Sequence, residues 1–349
     1  MAGKKRASMG DVARLAGVSA QTVSRVVNGE PYVTDEKREA VLAAMRNLKY
    51  QPNAAARAMK RGDFKTIGVL YRSLHPVGNR KALEGIVDAA AAHSYSTLLI
   101  PMGSTQASGG GGMPSALEQS AIDVAIVIVS SSLSGAAERP KALPVPTVVL
   151  SSHAPKLASS VSIDEAAGTR EAVAHLLGLG HLTVHHIAGP ERSLPARNRE
   201  DAWRAALIEA GRPVPDVVRG DWSAESGYHA TRALLKTQRP SALFAGNDQM
   251  ALGAYRALFE AGVRIPEDVS VVGCDNVPFD DVLEVPLTTV GVPAGEMGRF
   301  IGEQLCRAVE EQPEEMKNTG GTRKTIYYQP DLYVRGSVRR IMEQENGYK

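Results

Sequence analysis

From Thr66 onward, short apolar runs alternate with helical stretches, and this alternation constrains the fold more than any other feature of the chain. The runs TIGVL, STLLI, VAIVIV, TVVL, TVHHIAG, SALFAG and VSVVG are separated by stretches such as KALEGIVDAAAA, EAAGTREAVAHLLGLG, EDAWRAALIEAG and DQMALGAYRALFEAG. Near-continuous apolar runs suit strands buried on both faces, as in a parallel sheet covered by helices. The predicted architecture is α/β, with enough strands for two doubly wound parallel-sheet subdomains. A hydrophobic fraction of 43% supplies full cores, and 349 residues suit two or three domains.

In such sheets, ligands sit beyond the carboxyl ends of the strands. That rule points to Arg197 after VHHIAG, to Asn247 and Asp248 after SALFAG, and to Asp275 after VSVVG. Trp222, in GDWSAES, precedes a helix start at Ser223. Asp248 reads as an N-cap. Arg197 is a cation near a helix start, where it opposes the dipole and so needs another role. Trp222 could be a hydrophobic staple, but the partner position is Gly227, which has no side chain to offer. An Arg fork, a carboxylate, an amide and a large ring suit a neutral polyhydroxylated molecule, with hydroxyls on the polar groups and the ring over an apolar sugar face.

Catalysis finds little support. No Ser-His-Asp arrangement or dinucleotide fingerprint has its strand-turn-helix context. His181, His185 and His186 alternate around a strand and split between its faces, so they make poor metal co-ligands. Gly109 to Gly112 form a loop that no strand feeds and no Lys-Ser/Thr follows. Cys274 and Cys306 offer no metal spacing and suit a reducing compartment. The expectation is no catalytic residue, no metal and no cofactor.

The first thirty residues are of another kind. In DVARLAGVSAQTVSRVVN, Val12, Leu15 and Ala16 share one helical face and Val23, Val26 and Val27 another, with a tight turn at Gly17 and an N-cap at Ser19. Two helices joined by a short Gly-containing turn make a helix-turn-helix, whose second helix can lie in a DNA major groove. That helix exposes Ala20, Gln21, Thr22, Ser24 and Arg25. Arg pairs bidentately with guanine and Gln with adenine. Ser19, Thr22, Ser24 and Asn28 can bond phosphate oxygens. A third helix follows a Thr34 cap, with Val41, Leu42, Met45 and Leu48 as its core stripe. Charge supports a polyanion partner for this head alone: residues 1–65 hold 13 Lys or Arg against 6 Asp or Glu, and the remaining residues 27 against 32. Lys4, Lys5 and Arg6 extend the basic head as an arm.

Pro52 ends the third helix, and NAAARAMKRG follows it. Asn53 caps this stretch, the alanines favour helix and Gly62 stops it, giving a helix of about nine residues. That is below the roughly 12–15 at which an isolated helix becomes marginal, so it needs a partner to hold it. If two copies met over DNA, Met59 could wedge between base steps while Arg57, Lys60 and Arg61 reached phosphates. No run of eighteen apolar residues and no signal-peptide pattern is present, which predicts a cytoplasmic protein without membrane attachment.

The motifs DVARLAGVSAQTVSRVVN, PNAAARAM, SIDEAAGTREAVAHLLGLGH, GNDQMALGAYRALFEAG and IPEDVSVVGCDN, followed by PLTTV, resemble those of bacterial transcription regulators of the lactose-repressor (LacI) family, over residues 8 to about 336. The resemblance implies a homodimer that binds pseudo-palindromic double-stranded operator DNA. It also implies a core like periplasmic sugar-binding proteins, with a small effector, a mono- or disaccharide, between two subdomains. The implied divisions are 1–50 for the headpiece, 51–65 for the hinge helix and linker, 66–162 with 293–324 and 163–292 with 325–340 for the two core subdomains, and 341–349 for a tail. Carried over residue by residue, Ala20, Gln21 and Arg25 read bases, and Met59, where relatives usually have Leu, takes the wedge position. Asn53, Ala56 and Arg57 belong to the DNA-folded hinge, and Thr34 counts among the DNA-contacting residues. Arg197, Trp222, Asn247 and Asp275 match effector contacts of sugar-sensing relatives. Ser151 and Val292 depart from the lactose repressor's own acidic and Gln positions, which implies a different ligand. The thirteen residues after Gly336 are too few for a tetramerisation helix. Two alternatives stand beside a sugar-responsive repressor: a nucleobase-responsive repressor of the same family, and a sugar-binding protein without a regulatory role.

Overall fold

A computed structural model describes residues 7–51, 63–102, 117–129, 145–151, 159–279, 283–291, 293–311 and 325–341. The expectations for Asn53, Ala56, Arg57, Met59, Lys60, Arg61 and Val292 fall outside the described residues, as do those for the basic arm and the Gly109 to Gly112 loop. The chain divides into two units, Met1–Phe64 and Lys65–Lys349.

The first unit holds α1 (Met9–Ala16), α2 (Ala20–Val27) and α3 (Asp35–Asn47). Ser8 and Asp11 cap α1 reciprocally, and Gly17 ends it at φ +66, the left-handed conformation a glycine adopts at no steric cost. Val12, Ala13, Val23, Val26, Val41 and Ala44 form the core. Two expected core positions are corrected, since Leu15 is 54% and Leu42 39% exposed. The inward stripes run through 9, 12, 13 and 16 on α1 and through 41, 44, 45 and 48 on α3. Small alanines at 13 and 44 let these short helices approach closely, and the leucine beside each stripe is turned outward. Val27 is only half-buried.

The second unit contains two six-stranded sheets. The strands of the first are β1 (Thr66–Tyr71), β2 (Ser96–Pro101), β3 (Val124–Val129), β4 (Thr147–Ser151), β5 (Ser159–Ile163) and β11 (Thr325–Tyr328), in the order β11-β5-β4-β3-β1-β2, all parallel. The second has β6 (His185–Ala188), β7 (Val218–Arg219), β8 (Ala242–Ala245), β9 (Ser270–Cys274), β10 (Thr288–Gly291) and β12 (Asp331–Tyr333), in the order β12-β10-β9-β8-β6-β7. Only β12 runs antiparallel there. The helices are α4 (Val77–Ala92), α5 (Glu165–Gly178), α6 (Leu194–Glu209), α7 (Ala224–Thr237), α8 (Asp248–Glu260) and α9 (Ala294–Glu311).

The chain passes between the sheets three times, after β5, after β10 and after β11. The last passage differs from expectation. Residues 325–328 were expected in the second subdomain, yet β11 extends the first sheet alongside β5 from Thr325↔Ser160 to Tyr328↔Ile163. Asp164 N–H donates to the Tyr328 carbonyl at 2.9 Å where the two chains leave that sheet together. In each sheet one strand, β1 or β6, pairs with both its successors, so the topology reverses direction beside it. The carboxyl end of such a reversal is where a ligand crevice opens.

Candidate functional site

Residues at the carboxyl ends of both sheets line one cleft. Among the described residues it is lined by Pro76, Asn79, Leu150, Ser151, Ile163, Glu165, Ser193, Arg199, Trp222, Asn247, Asp275 and Met297, with Gly78, Pro195 and Ala294, around a cavity of about 90 Å³. Its two walls differ in chemistry. Leu150, Ile163, Ala294 and Met297, from β4, β5 and the start of α9, make one wall largely apolar. The opposite wall carries the charge.

Arg199 is the centre of that wall. Its guanidinium is buried, with Nε donating to Glu165 Oε2 at 2.7 Å and Nη1 to the Gly246 carbonyl, while Nη2 lies 4.0 Å from Asp275 Oδ1. This corrects the expectation for Arg197, which is exposed and does not line the cleft. The reason is helical phase. The inward face of α6 runs through Ala196, Arg199, Ala202, Trp203 and Leu207, so position 197 points to solvent. Glu165 was not foreseen. It occupies the first turn of α5, where a carboxylate suits the helix dipole and needs no further explanation from sequence. Ser193 was also missed. It stands at the N-cap position of α6 without making a capping bond, and among the described residues its buried hydroxyl has no hydrogen-bond partner.

Trp222 is placed as expected, half-buried at the cleft, with the Arg199 guanidinium 5.7 Å from its ring centroid. Its φ of +78 is unusual for a large side chain and costs on the order of 1–3 kcal/mol. Two residues hold it there. Asn247 Nδ2 donates to the Trp222 carbonyl at 3.1 Å, and Gly189, at the end of β6, leaves room where a Cβ would run into the indole. Gly227, the absent staple partner, lies against the Met250 backbone of α8, where a Cβ would not fit.

Asn247 also caps α8, accepting from Met250 N–H at 2.9 Å, so the cap expected at Asp248 belongs to its neighbour. Asp248 is fully buried and instead accepts from Val277 N–H (2.7 Å) and Thr289 Oγ1 (2.6 Å), fixing the turn after β9. That turn presents Asp275, at φ +116. Burial pushes the Asp275 carboxyl up to about 7; Arg199 pulls it back, while Asp248 and Glu165 push it further. The carboxyl is therefore poised between its charged and neutral forms near neutrality.

The histidines are core residues. His181 precedes the strand and bridges Ser241 and Ser270 hydroxyls at 3.0 Å each. His186 packs against Phe244 and Trp203, and burial lowers it to about 4, so it is neutral. Ser151 lines the cleft.

In the first unit, Ala20, Gln21, Arg25 and Asn28 are exposed on α2 and at its end, while Thr22 and Ser24 are half-buried. Ser19 Oγ accepts from Thr22 N–H at 3.1 Å and lies 2.9 Å from Thr22 Oγ1, and Asn28 Nδ2 donates to Ser24 Oγ at 3.4 Å. Arg25 Nε sits 3.6 Å from Glu30, with both side chains nearly half exposed. Such a surface pair is worth little and yields readily to another anion. Thr34 stands at the N-cap position of α3, exposed, but its hydroxyl makes no capping bond. Among the described residues, no helix is long and apolar enough to cross a membrane.

Residues 8–53 match the model for bacterial regulatory proteins of the lacI family, and residues 173–338 match that for a periplasmic binding protein-like domain. The ribose operon repressor of Escherichia coli (strain K12) is 32% identical over 337 residues, 95% of this chain and 100% of the relative. The HTH-type transcriptional repressor PurR of Erwinia tasmaniensis is 32% identical over 338 residues, 95% and 97% of the two chains. A solved structure of the lac repressor dimer bound to operator and the anti-inducer ONPF aligns with a TM-score of 0.78 and 28% identity, over 96% of this chain and 100% of that one.

Proposed function

The chain belongs to the LacI family of bacterial regulatory proteins, as a DNA-binding regulator and not an enzyme, and from that premise we propose that it is a cytoplasmic repressor released from its operator by a small sugar. Two copies bind a pseudo-palindrome, each laying α2 in a major groove, with Gln21 and Arg25 toward base edges and Ser19, Thr22, Ser24 and Asn28 toward phosphates. The exposed polar face of α2 favours this over a sugar carrier without a regulatory role.

The observation that carries the sugar reading is the buried Arg199–Glu165–Asp275 group beside the Trp222 ring, with the Ser193 hydroxyl, which has no hydrogen-bond partner among the described residues, on the same wall. A guanidinium and a carboxylate bind neighbouring hydroxyls with charge-assisted hydrogen bonds, and the ring covers an apolar sugar face. The opposite wall of Leu150, Ile163 and Met297 suits the less polar edge of the same ring.

The test is a thermal-shift panel of monosaccharides, disaccharides, polyols and purines on the full-length protein, followed by anisotropy titration of labelled operator. A ligand at 100 times its dissociation constant adds roughly 2.7 kcal/mol of stability. A monosaccharide that both stabilises the protein and releases DNA is the expected result; a response to purines alone would assign the cleft to a nucleobase.

A further inference from the structure

The turn that presents Asp275 is held from across the cleft. Lys81 projects from α4, in the first subdomain, and its Nζ donates to the carbonyl oxygens of Asp275 (3.1 Å) and Asn276 (2.9 Å), which follow β9 of the second subdomain. Those two residues have φ +116 and +49, consecutive left-handed conformations without a glycine, which persist only where the surroundings over-determine them.

The second subdomain occupies the other polar groups of the turn. Val277 N–H donates to Asp248, Asn276 N–H to Thr289 Oγ1 at 3.4 Å, and Arg335 Nη2 to Asn276 Oδ1 at 2.8 Å. The carbonyls of Asp275 and Asn276 are taken by one cation of the other subdomain. That cation stands on a firm platform, because glycines let α9 pass directly over α4: a Cβ at Gly298 would meet the Ala82 carbonyl, and one at Gly85 the Gly295 carbonyl.

We propose that Lys81 is a positioning residue for effector recognition, a strut across the cleft that fixes the Asp275–Asn276 turn so that the Asp275 carboxylate faces the ligand beside Arg199. The strut makes the grip of the second subdomain on the effector depend on where the first subdomain stands. The role in recognition rests on the reading of the cleft as a sugar site; the hold on the turn does not.

Both roles leave a signature in the titration of Asp275. The groups facing it are Arg199 from α6, Glu165 from α5, Asp248 from α8, Lys81 from α4 and Cys274 from its own strand. Burial raises the carboxyl to about 7, and Arg199 and Lys81 draw it down. Replacing Lys81 by an apolar residue therefore moves the midpoint upward. Sugar hydroxyls donate to the ionised carboxylate, so binding weakens as pH falls through that midpoint, and the variant weakens at higher pH than the wild type.

The experiment uses full-length wild type, Lys81→Met and Lys81→Arg. Without any ligand, the Asp275 carboxyl is titrated by carbon-13 NMR, with Asp275→Asn identifying its resonance. The expected result is a higher midpoint in Lys81→Met and a near wild-type midpoint in Lys81→Arg; an unchanged midpoint in Lys81→Met overturns the proposal. Calorimetric titration with D-ribose from pH 5.5 to 8.5 then reads recognition, with binding about tenfold weaker in Lys81→Met and largely restored in Lys81→Arg. Equal ribose affinity in wild type and Lys81→Met removes the role in recognition. If ribose and every other monosaccharide fail to bind the wild type, the sugar reading of the cleft is lost, and the ligand-free titration still decides whether Lys81 controls the turn.

Discussion

Arg199 and Glu165 form an ion pair with side chains only 7% and 4% exposed, joined at 2.7 Å. Arg199→Met removes the cation while keeping most of the hydrocarbon volume, so little of its effect comes from an empty cavity. What remains is a buried carboxylate that has lost its cation, at a cost of about 3–5 kcal/mol. The Gly246 carbonyl also loses a donor, which adds about 1 kcal/mol. At about 2–4 °C per kcal/mol for a unit of this size, the core transition should fall by roughly 8–24 °C in a circular-dichroism melt. The double variant Arg199→Met/Glu165→Leu should recover most of that loss, because the desolvation of both ions disappears together. Arg197→Ala, two residues away but exposed, should stay within about 0.5 kcal/mol of wild type. If Arg199→Met melted with the wild type, or if the double variant were the least stable of the set, the buried pair would not be the keystone of this wall.

Asp275 has a folded-state value raised from 3.8 to about 7, so folding favours its protonated form and its contribution to stability declines as pH rises from about 4 to 7, then levels. Asp275→Asn should accordingly gain stability over wild type, by up to about 4 kcal/mol at pH 8 and much less at pH 5, while losing the effector response; urea unfolding at the two pH values reads the difference, and a variant less stable than wild type at pH 8 would contradict it. Gly189→Ala puts a methyl where the Trp222 indole lies, so the ring must move. Effector affinity should drop at least about tenfold, roughly 1.4 kcal/mol, with operator affinity in its absence unchanged, as read by calorimetry and anisotropy. Arg25→Ala should cost on the order of 1–3 kcal/mol of operator binding per contacted base and relax specificity there, and wild-type affinity for single-base operator variants would show that another residue does the reading.

The parts of the fold legible in the sequence were those governed by local pattern. All seven quoted apolar runs became strands, because a strand in the middle of a covered sheet must be apolar on both faces. The unforeseen strands either lack that demand or interrupt their apolar residues with polar ones, as β10 does with the buried Thr288 and Thr289. β7 has two residues, and β11 and β12 are edge strands with mostly exposed side chains. β5 buries Ser160 and Ser162 among its apolar residues, so it carries no continuous run. The placement of β11 in the first sheet depends on pairing with residues some 165 positions away, which no local pattern encodes. Leu15 and Leu42 show the same limit at smaller scale: the larger side chain was assigned to the core, whereas the three-helix packing selected the neighbouring alanine.

The site was half legible, and the missed half has a physical reason. Asn247 and Asp275 were found because strand ends are set by the apolar runs before them, so position along the chain locates them directly, and Trp222 because it precedes the helix start at Ser223. The arginine lies one helical turn farther on, and there the phase of α6 decides what faces the cleft. That phase was present in the sequence: Ala196, Ala202, Trp203 and Leu207 define an apolar stripe, and Arg199 is the one charge on it. A charge on an apolar stripe must have a buried partner, and Glu165 is that partner, supplied from another helix 34 residues earlier. Asp248 and Asn247 exchanged roles for a related reason. Either could cap α8, and only the Thr289 hydroxyl and Val277 N–H, brought in from β10 and the turn after β9, draw Asp248 into the core and leave the cap to Asn247. Strand ends thus locate the cleft, whereas its charge is balanced by contacts between elements, so the paired carboxylates and the Lys81 strut emerge only when those elements are assembled.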